Sequence, residues 1–237
     1  MYYNEIWRSV ALLDNYNPRA FPVQVADGFQ APVVHRSNGT SCPTSGDSGG
    51  YTRVGIHYPP IRPILYESFD EIRTREDGRV VRHDAIDITC ASGAYIVSVT
   101  DGIVPETIRY RDGRVLPGAG NSPRGGNYVW VRESSGLSHY YAHLKSLPLV
   151  RPGQHVSANQ ILGFCGRTGN AAGGCPHLHY AVETATGVAI DPYSKLLPLY
   201  QAGGWKRPGS RAAFFFLLGT LLGALSAEYG PKLLKSK

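Results

Sequence analysis

Short runs of β-branched and aromatic residues, separated by glycine-containing turns, occupy the chain between about Ile64 and Leu197. Three of them are YIVSVT at 95–100, NYVWVR at 127–132 and HLHYAVE at 177–183. Such runs predict strands, and their tight connections favour antiparallel pairing. The 28 glycines and 17 prolines among 237 residues point the same way. The sequence therefore predicts a mainly β domain built from antiparallel sheet.

The segments on either side of this β-rich region differ from it in composition. Residues 1–65 hold scattered prolines and a Ser/Thr/Gly-rich stretch, which indicate an extended arm or a small irregular subdomain. Residues 201–237 contain an uncharged stretch, AAFFFLLGTLLGALSA at 212–227, between basic residues. We expect three parts: the arm at 1–65, the β domain at 66–200 and a basic-flanked apolar helical tail at 201–237.

The apolar tail has two interpretations. As a helix rising ~1.5 Å per residue, 212–227 would span roughly 24 Å, slightly less than a hydrocarbon core of ~30 Å. Gly219 and Gly223 form a GxxxG pair, which lets helices approach closely in lipid. One interpretation is a membrane-inserted or membrane-active tail, and the other is a helix that is buried or packed in an oligomer.

The formal net charge of +6 is a modest basic excess. It is compatible with anionic partners, but no Lys/Arg run is dense enough to choose among them, and we expect no nucleic acid partner. The connection at 105–126 carries four arginines, and loops of that length are more often functional than idle. We expect it to rim a groove, where its arginines would meet an anionic polymer.

Four cysteines follow neither a CxxC pattern nor a regular spacing: Cys42, Cys90, Cys165 and Cys175. They can form up to two disulfides in an oxidising compartment or remain buried thiols. Cys165 and Cys175 bracket a glycine-rich loop, so a bridge between these two is our first expectation.

The spacing of two pairs of residues predicts a metal site. His177 and His179 are two apart, so on a strand both side chains face the same side. His83 and Asp87 are four apart, which has the same parity on an extended segment. Two imidazoles and one carboxylate form a three-ligand set that leaves a tetrahedral Zn²⁺ one open position for water. This arrangement is typical of a catalytic zinc site rather than a closed structural one.

Several motifs in this region resemble those of one peptidase family. "HDAID", "TDGIV", "YYAHL" and "GRTGNAAGGCPHLHYAV" occur in the order and at the separations of the lysostaphin/LytM-type zinc peptidases, peptidase family M23. "VRPGQHVSANQILGFCG" resembles the glycine-punctuated strand pair before the last motif. The resemblance covers about residues 66–196. It implies a LytM/M23-like fold, a Zn²⁺ cofactor and endopeptidase activity on peptidoglycan peptides.

The resemblance also implies the site residues. It makes His83, Asp87 and His179 the zinc ligands, and makes His143 and His177 the two catalytic histidines that do not bind the metal. We expect His143 to orient or deprotonate the attacking water, and His177 to stabilise the oxyanion and help protonate the leaving amine. Which histidine takes which role stays open at this point.

His139 is excluded from the site by distance. It lies four residues before His143, on the same face of an extended strand. At ~3.3 Å per residue the two would be about 13 Å apart, too far to share a metal-bound water.

The chain departs from the family pattern in two places. The family has glycine at the centre of HxGxD, where this chain has Ala85, so the backbone there must avoid positive φ. The loop before "PHLH" carries two extra residues, around Gly174 and Cys175. We expect these changes to affect the geometry of the substrate loops more than metal binding.

The segment SGDSGG at 45–50 contains the residues that surround the nucleophilic serine of chymotrypsin-like proteases. Those enzymes place a histidine and an aspartate upstream of the serine, within two β-barrels. Only 47 residues precede Ser48, and their single histidine, His35, has no catalytic motif around it. We therefore expect Ser48 to be a serine of a polar loop.

The family resemblance also concerns the bond that is cleaved. The resemblance implies cleavage of peptidoglycan cross-links or stem peptides. A D-alanyl bond to diaminopimelate and a glycine bridge are both open as the bond that is cleaved, and we favour the first.

The N-terminus MYYNEIWRSV has no basic region followed by an apolar run, so it lacks the pattern of a secretion signal. We expect action in the cell envelope, in the periplasm or wall, after delivery by a phage particle or an injection machine.

Two alternatives follow from the same features. One is a lysis enzyme anchored through its tail. The other is a structural, wall-binding component of a larger assembly, in contact with neighbouring proteins of a particle and carrying a membrane-active tail.

Overall fold

The computed structural model describes residues 16–25, 42, 63–74, 78–110 and 113–203. The apolar stretch 212–227 and Ser48 lie outside these ranges, as do most of the predicted arm at 1–65 and most of the predicted tail at 201–237. Among the described residues, none forms a helix that is long and apolar enough to cross a membrane.

The described part of the chain is mainly β. Its strands are β1 (Val23–Gln24), β2 (Ile64–Leu65), β3 (Ile72–Thr74), β4 (Val80–Arg82), β5 (Ile86–Thr89), β6 (Tyr95–Val97), β7 (Gly102–Ile103), β8 (Thr107–Arg109), β9 (Val115–Pro117), β10 (Ala119–Ser122), β11 (Gly126–Arg132), β12 (Ser138–Leu144), β13 (His155–Val156), β14 (Ile161–Phe164), β15 (His177–Glu183) and β16 (Ala189–Ile190). A 3-10 turn covers Gly169–Ala171, and one helix, α1, covers Tyr193–Gln201.

An antiparallel sheet forms the centre of the fold. Over the described ranges its strand order is β13-β7-β11-β12-β15-β5-β2, with β10 beside β11 and β16 beside β15. The three long strands β11, β12 and β15 are adjacent, and the runs that predicted strands at 95–100, 127–132 and 177–183 correspond to β6, β11 and β15. The prediction of a mainly β, antiparallel fold is confirmed.

A smaller antiparallel sheet of β1, β6 and β14 and the helix α1 cover one face of the central sheet. The main hydrophobic core lies between these layers, and it joins Ile96 of β6 and Leu196 of α1 to Tyr141 and Tyr180 of the central strands. Residues 16–25 belong to this packing, because Tyr16 and Phe21 are fully buried in the same core. This part of the predicted arm is therefore integral to the β domain.

The hairpin β8–β9 covers part of the opposite face of the central sheet. Ile108 packs in a second cluster with Tyr128, Trp130 and Tyr140, and the Trp130 indole donates a hydrogen bond to the Tyr110 hydroxyl, 3.2 Å away. The expectation that the connection at 105–126 is a long loop is wrong, because this segment forms β8, β9 and β10. The apolar side chain of Ile108 explains why, since its burial favours a hairpin packed on the sheet. The proposed contact of the arginines with an anionic polymer stays a prediction.

Two disulfides join the four cysteines, and the expected pair is wrong. The bridges are Cys90–Cys165, with Cα atoms 6.3 Å apart, and Cys42–Cys175, with Cα atoms 5.4 Å apart. Cys165 follows β14, whose pairing with β6 lets the Cys165 N–H donate to the Ala94 carbonyl at 2.7 Å. This register brings Cys165 to the segment that begins at Cys90, and leaves Cys175 for a partner from the N-terminal part of the chain.

Candidate active site

The pairing of three strands gathers the chemically active side chains on one face of the sheet. His179 on β15 lies directly opposite Asp87 on β5 and, on its other side, opposite Ala142 on β12. His177 shares the face of His179 because strand residues two apart point to the same side. β15 therefore holds both histidines between β5 and the end of β12.

His83, Asp87 and His179 form a tight group. Oδ1 of Asp87 lies 3.2 Å from Nδ1 of His179 and 3.5 Å from Nε2 of His83. The two imidazole nitrogens are 3.2 Å apart, and one donor atom from each residue lies within 4.8 Å of the others. Two nitrogens and one carboxylate oxygen that converge in this way could hold a metal ion.

The turn before β5 accommodates Ala85 as expected. Ala85 is fully buried and is not among the described non-glycine residues that have positive φ. The alanine methyl packs in the second cluster, against the aromatic side chains of β11 and β12.

Ser68 supports two members of the group and has no counterpart in the motifs of the sequence. Its carbonyl lies 2.8 Å from Nδ1 of His83, and its hydroxyl accepts a hydrogen bond from the Asp87 N–H at 2.9 Å. A His83 that donates from Nδ1 keeps the lone pair of Nε2 directed at the group. Only the tertiary fold brings Ser68 here, since 15 and 19 residues separate it from its two partners.

His143 and His177 complete the site, and a backbone carbonyl orients each of them. Nδ1 of His143 lies 2.9 Å from the Thr168 carbonyl, and Nδ1 of His177 lies 2.9 Å from the Cys175 carbonyl. Both rings therefore keep Nε2 for other partners, and Nε2 of His177 is 3.9 Å from Oδ1 of Asp87. The ring centroids of the two histidines are 4.9 Å apart. All five residues predicted for the site are thus brought together.

His143 reaches the site through an unusual backbone conformation. Residues 139 and 143 have the same parity on a regular strand, yet His143 contacts His177 and His179 while His139 bonds Tyr180 in the core. His143 has φ +64°, in the left-handed region, and this interrupts the alternation of β12. The expectation that the two histidines share a face is therefore wrong, although His139 does lie outside the site.

Burial and hydrogen bonds together set the ionisation of the site. Burial lowers the pKa of His143 to about 3, with help from the neighbouring His179 and His177, and it also lowers the pKa of His177. Burial by itself would raise the pKa of Asp87, but hydrogen bonds with His179 and His83 outweigh it and hold that pKa well below its usual range. Near neutral pH the carboxylate is charged, and His143 and His177 are neutral.

One cavity adjoins the site, and a second lies beside Thr168. A cavity of about 360 Å³ beside Asp87 and His177 carries Glu67, Glu71 and Arg73 on its walls. A second cavity of about 450 Å³, lined by Thr168, carries Lys145 and Arg167 and has no acidic side chain in its lining. The first cavity borders the clustered residues directly, whereas the second is connected to them through Thr168, whose carbonyl orients His143.

Residues 81–192 match the model of Peptidase family M23. The chain is 34% identical over 102 residues to peptidoglycan DD-endopeptidase ShyA of Vibrio cholerae, a match that covers 43% of this chain and 20% of ShyA. It is 30% identical over 116 residues to DD-carboxypeptidase/endopeptidase Mpg of Neisseria meningitidis serogroup B, covering 49% of this chain and 23% of Mpg. The chain thus spans about a fifth to a quarter of the length of these curated relatives.

The fold is also found in a solved structure. A LytM structure from Ruminococcus gnavus superimposes with a TM-score of 0.50 at 19% identity, and covers 85% of this chain and 70% of its own. At this identity the likeness concerns the fold alone. This likeness of fold agrees with the family match, and residues 81–192, which match the model of Peptidase family M23, carry the five clustered side chains.

Proposed function

We propose that this chain is a zinc-dependent endopeptidase that hydrolyses peptide bonds in bacterial peptidoglycan. The observation that carries the proposal is the convergence of His83, Asp87 and His179, with two further histidines beside them. ShyA, the relative named as a peptidoglycan DD-endopeptidase, supports the substrate class.

The donor set suits zinc. His83 and His179 supply imidazole nitrogens and Asp87 supplies a carboxylate oxygen, a set that leaves one position of a tetrahedral ion for water. Bound Zn²⁺ would supply two effects, a lower pKa for that water and polarisation of the scissile carbonyl. The charged Asp87 offsets part of the positive charge of the ion.

His143 and His177 handle the protons. The Thr168 carbonyl fixes the tautomer of His143, so its neutral ring can accept a proton at Nε2 from the attacking water. His177 has the same arrangement at the Cys175 carbonyl, and the charge of Asp87 offsets part of the lowering of its pKa by burial. We assign the base to His143, and assign stabilisation of the oxyanion and protonation of the leaving amine to His177.

The two cavities favour an extended peptide as the substrate. Stem peptides carry free carboxylates, and the cavity on the His143 side presents Lys145 and Arg167 without an acidic side chain in its lining. A peptide of the D-alanyl–diaminopimelate type places a carboxylate next to the scissile bond, whereas a glycine bridge has none. The basic cavity therefore favours the first of the two substrates.

The test is cleavage of purified peptidoglycan sacculi by the full chain, with products analysed by mass spectrometry. New peptide ends that vanish with a chelator and return with added Zn²⁺ are expected, and their identity gives the bond. The matched variants are D87N, which removes a proposed ligand, and H155A, which removes an exposed histidine of β13. A folded, zinc-loaded chain that leaves sacculi intact would contradict the proposal and favour a wall-binding component of an assembly.

Delivery and membrane contact stay predictions. The segments that suggest them, the N-terminus and 212–227, lie outside the described residues. Co-purification of the chain with a phage particle or an injection machine would support delivery by a particle, and its presence only as a free envelope protein would contradict it.

A further inference from the structure

Arg73 connects the β3–β4 hairpin to the proposed metal site. It is the central residue of β3 and is half-buried, while its neighbours Ile72 and Thr74 are exposed. β4, the other strand of the hairpin, leads directly into His83. The hairpin therefore presents one arginine toward the site, on the side of the 360 Å³ cavity.

Two carboxylates hold this guanidinium in place. Nη1 of Arg73 lies 2.9 Å from Oδ2 of Asp87. Nη2 and Nε both donate to Oε2 of Glu71, at 2.8 and 3.0 Å. The planar fork of an arginine can bond both partners at once, which the single ammonium of a lysine does less well.

The two oxygens of Asp87 consequently face different partners. Oδ1 faces the imidazoles of His83, His177 and His179, at 3.5, 3.9 and 3.2 Å. Oδ2 faces Arg73. The carboxylate is thus oriented with one oxygen toward the metal-binding group and the other engaged by a fixed cation.

We propose that Arg73 is a positioning residue that restricts Asp87 to one-oxygen coordination of the metal. This inference rests on the proposed zinc site. Carboxylates bind metals through one or both oxygens, and Asp87 without Arg73 would be free to offer Oδ2 as well. A second oxygen would take up space that the attacking water and the substrate carbonyl need, so Arg73 keeps the site open. Groups that orient a ligand in this way typically change metal affinity or activity about 10- to 100-fold when they are removed.

The test compares Co²⁺-substituted proteins that carry single changes in the same hairpin. In R73Q the fork that holds Oδ2 is lost. R82Q is the matched control: Arg82 lies on β4, pairs with Asp70 and is an exposed cation of the hairpin. R73K keeps the charge without the fork. Visible absorption of Co²⁺ is stronger for four-coordinate than for five- or six-coordinate ions, so it reports coordination without substrate.

We expect R73Q to lower the absorptivity of bound Co²⁺ and to reduce kcat on sacculi about 10- to 100-fold, with KM little changed. R82Q should match the parent chain, and R73K should lie between R82Q and R73Q. E71Q keeps Arg73 but removes the negative charge of its second partner, so a smaller change in the same direction serves as a check if R73Q folds poorly.

Two results would overturn the inference. One is a Co²⁺ spectrum and a kcat for R73Q equal to those of R82Q. The other is weaker metal binding by R73Q with an unchanged spectrum in the loaded fraction, since Arg73 would then stabilise the site without setting the coordination of Asp87. Failure of the parent chain to cleave sacculi would instead refute the proposed function, and the spectra would still report on Arg73.

Discussion

His143 combines two costs that ordinary strand residues avoid. Its backbone lies in the left-handed region at φ +64°, and its imidazole is buried beside two other histidines. A non-glycine residue in such a conformation costs of order 1–3 kcal/mol and persists only where its surroundings hold it. The Thr168 carbonyl provides one such restraint. Strain of this kind is common at active sites, which fits a catalytic role for His143.

Alanine substitution of either proposed catalytic histidine should separate chemistry from metal binding. In H143A and H177A we expect kcat to fall about 10²- to 10⁴-fold, the usual contribution of a positioned acid or base, with zinc stoichiometry near that of the parent chain. H155A should keep full activity. Metal analysis and sacculus digestion check this, and loss of zinc from both variants would contradict the assignment.

A second residue-scale prediction concerns Glu133, on the core side of the sheet. Its carboxylate accepts hydrogen bonds from Thr100 and Ser135 and lies 3.6 Å from Nε2 of His139. Burial would raise the pKa of Glu133, but the nearby His139 and the hydrogen bonds from Ser135 and Thr100 outweigh it and lower that pKa. A carboxyl whose pKa is lower in the folded state stabilises the fold above the unfolded pKa of about 4.3, and this stabilisation is lost as pH falls.

E133Q should therefore reduce the free energy of unfolding at pH 7 by about 1 kcal/mol and flatten its decline below about pH 5. Urea titrations at several pH values measure both effects. E106Q, at an exposed position, is the control and should follow the parent chain. An unchanged slope in E133Q would show that Glu133 does not contribute to acid sensitivity.

At the scale of elements, the start of β11 and the turn at Thr168 act as one unit. The Asn127 N–H donates to the Thr168 hydroxyl at 2.9 Å, and that hydroxyl donates to the Leu144 carbonyl at 2.7 Å. Gly126, at φ +61°, lets the two segments touch, because a Cβ there would overlap Thr168 and Gly169. This close contact fixes the carbonyl that orients His143.

G126A and G136A test this contact as a matched pair. Both glycines have positive φ, but a Cβ at Gly136, in the β11–β12 hairpin, meets open space. G136A should cost about 1–2 kcal/mol of stability for the backbone conformation alone. G126A should cost about 1–3 kcal/mol more from overpacking and should also lower kcat. Urea unfolding and digestion assays measure both quantities, and equal effects of the two variants would contradict the argument.

The sequence predicted those parts of the site that depend on local periodicity. The two-residue spacing of His177 and His179 fixes a shared face on any strand, and strand pairing then places Asp87 opposite His179. The face of His143 was not predictable in this way, because a single left-handed residue reverses the alternation. Ser68 and Arg73 were missed because their contacts depend on how separate segments pack.

At the scale of the whole molecule, the Cys42–Cys175 disulfide links the N-terminal part of the chain to the edge of the site. It joins residues 133 positions apart, and Cys175 is also the residue whose carbonyl holds Nδ1 of His177. The Cys90–Cys165 bridge, by contrast, lies in the core, with Cys90 3% and Cys165 1% exposed. The pairing could not be read from the sequence, since it depends on which segments the fold brings together.

The two bridges should therefore differ in what their removal changes. The double variants C42A/C175A and C90A/C165A should each lose about 2–4 kcal/mol of stability, as is typical for a disulfide. Only C42A/C175A should also lower kcat, by about tenfold or more, at temperatures well below the melting temperature. The reason is that small displacements of a catalytic group are costly. Thermal unfolding and sacculus digestion of the zinc-loaded variants distinguish the cases. If C42A/C175A kept the parent kcat, the bridge would serve stability alone, and orientation of His177 would depend on the backbone of β15.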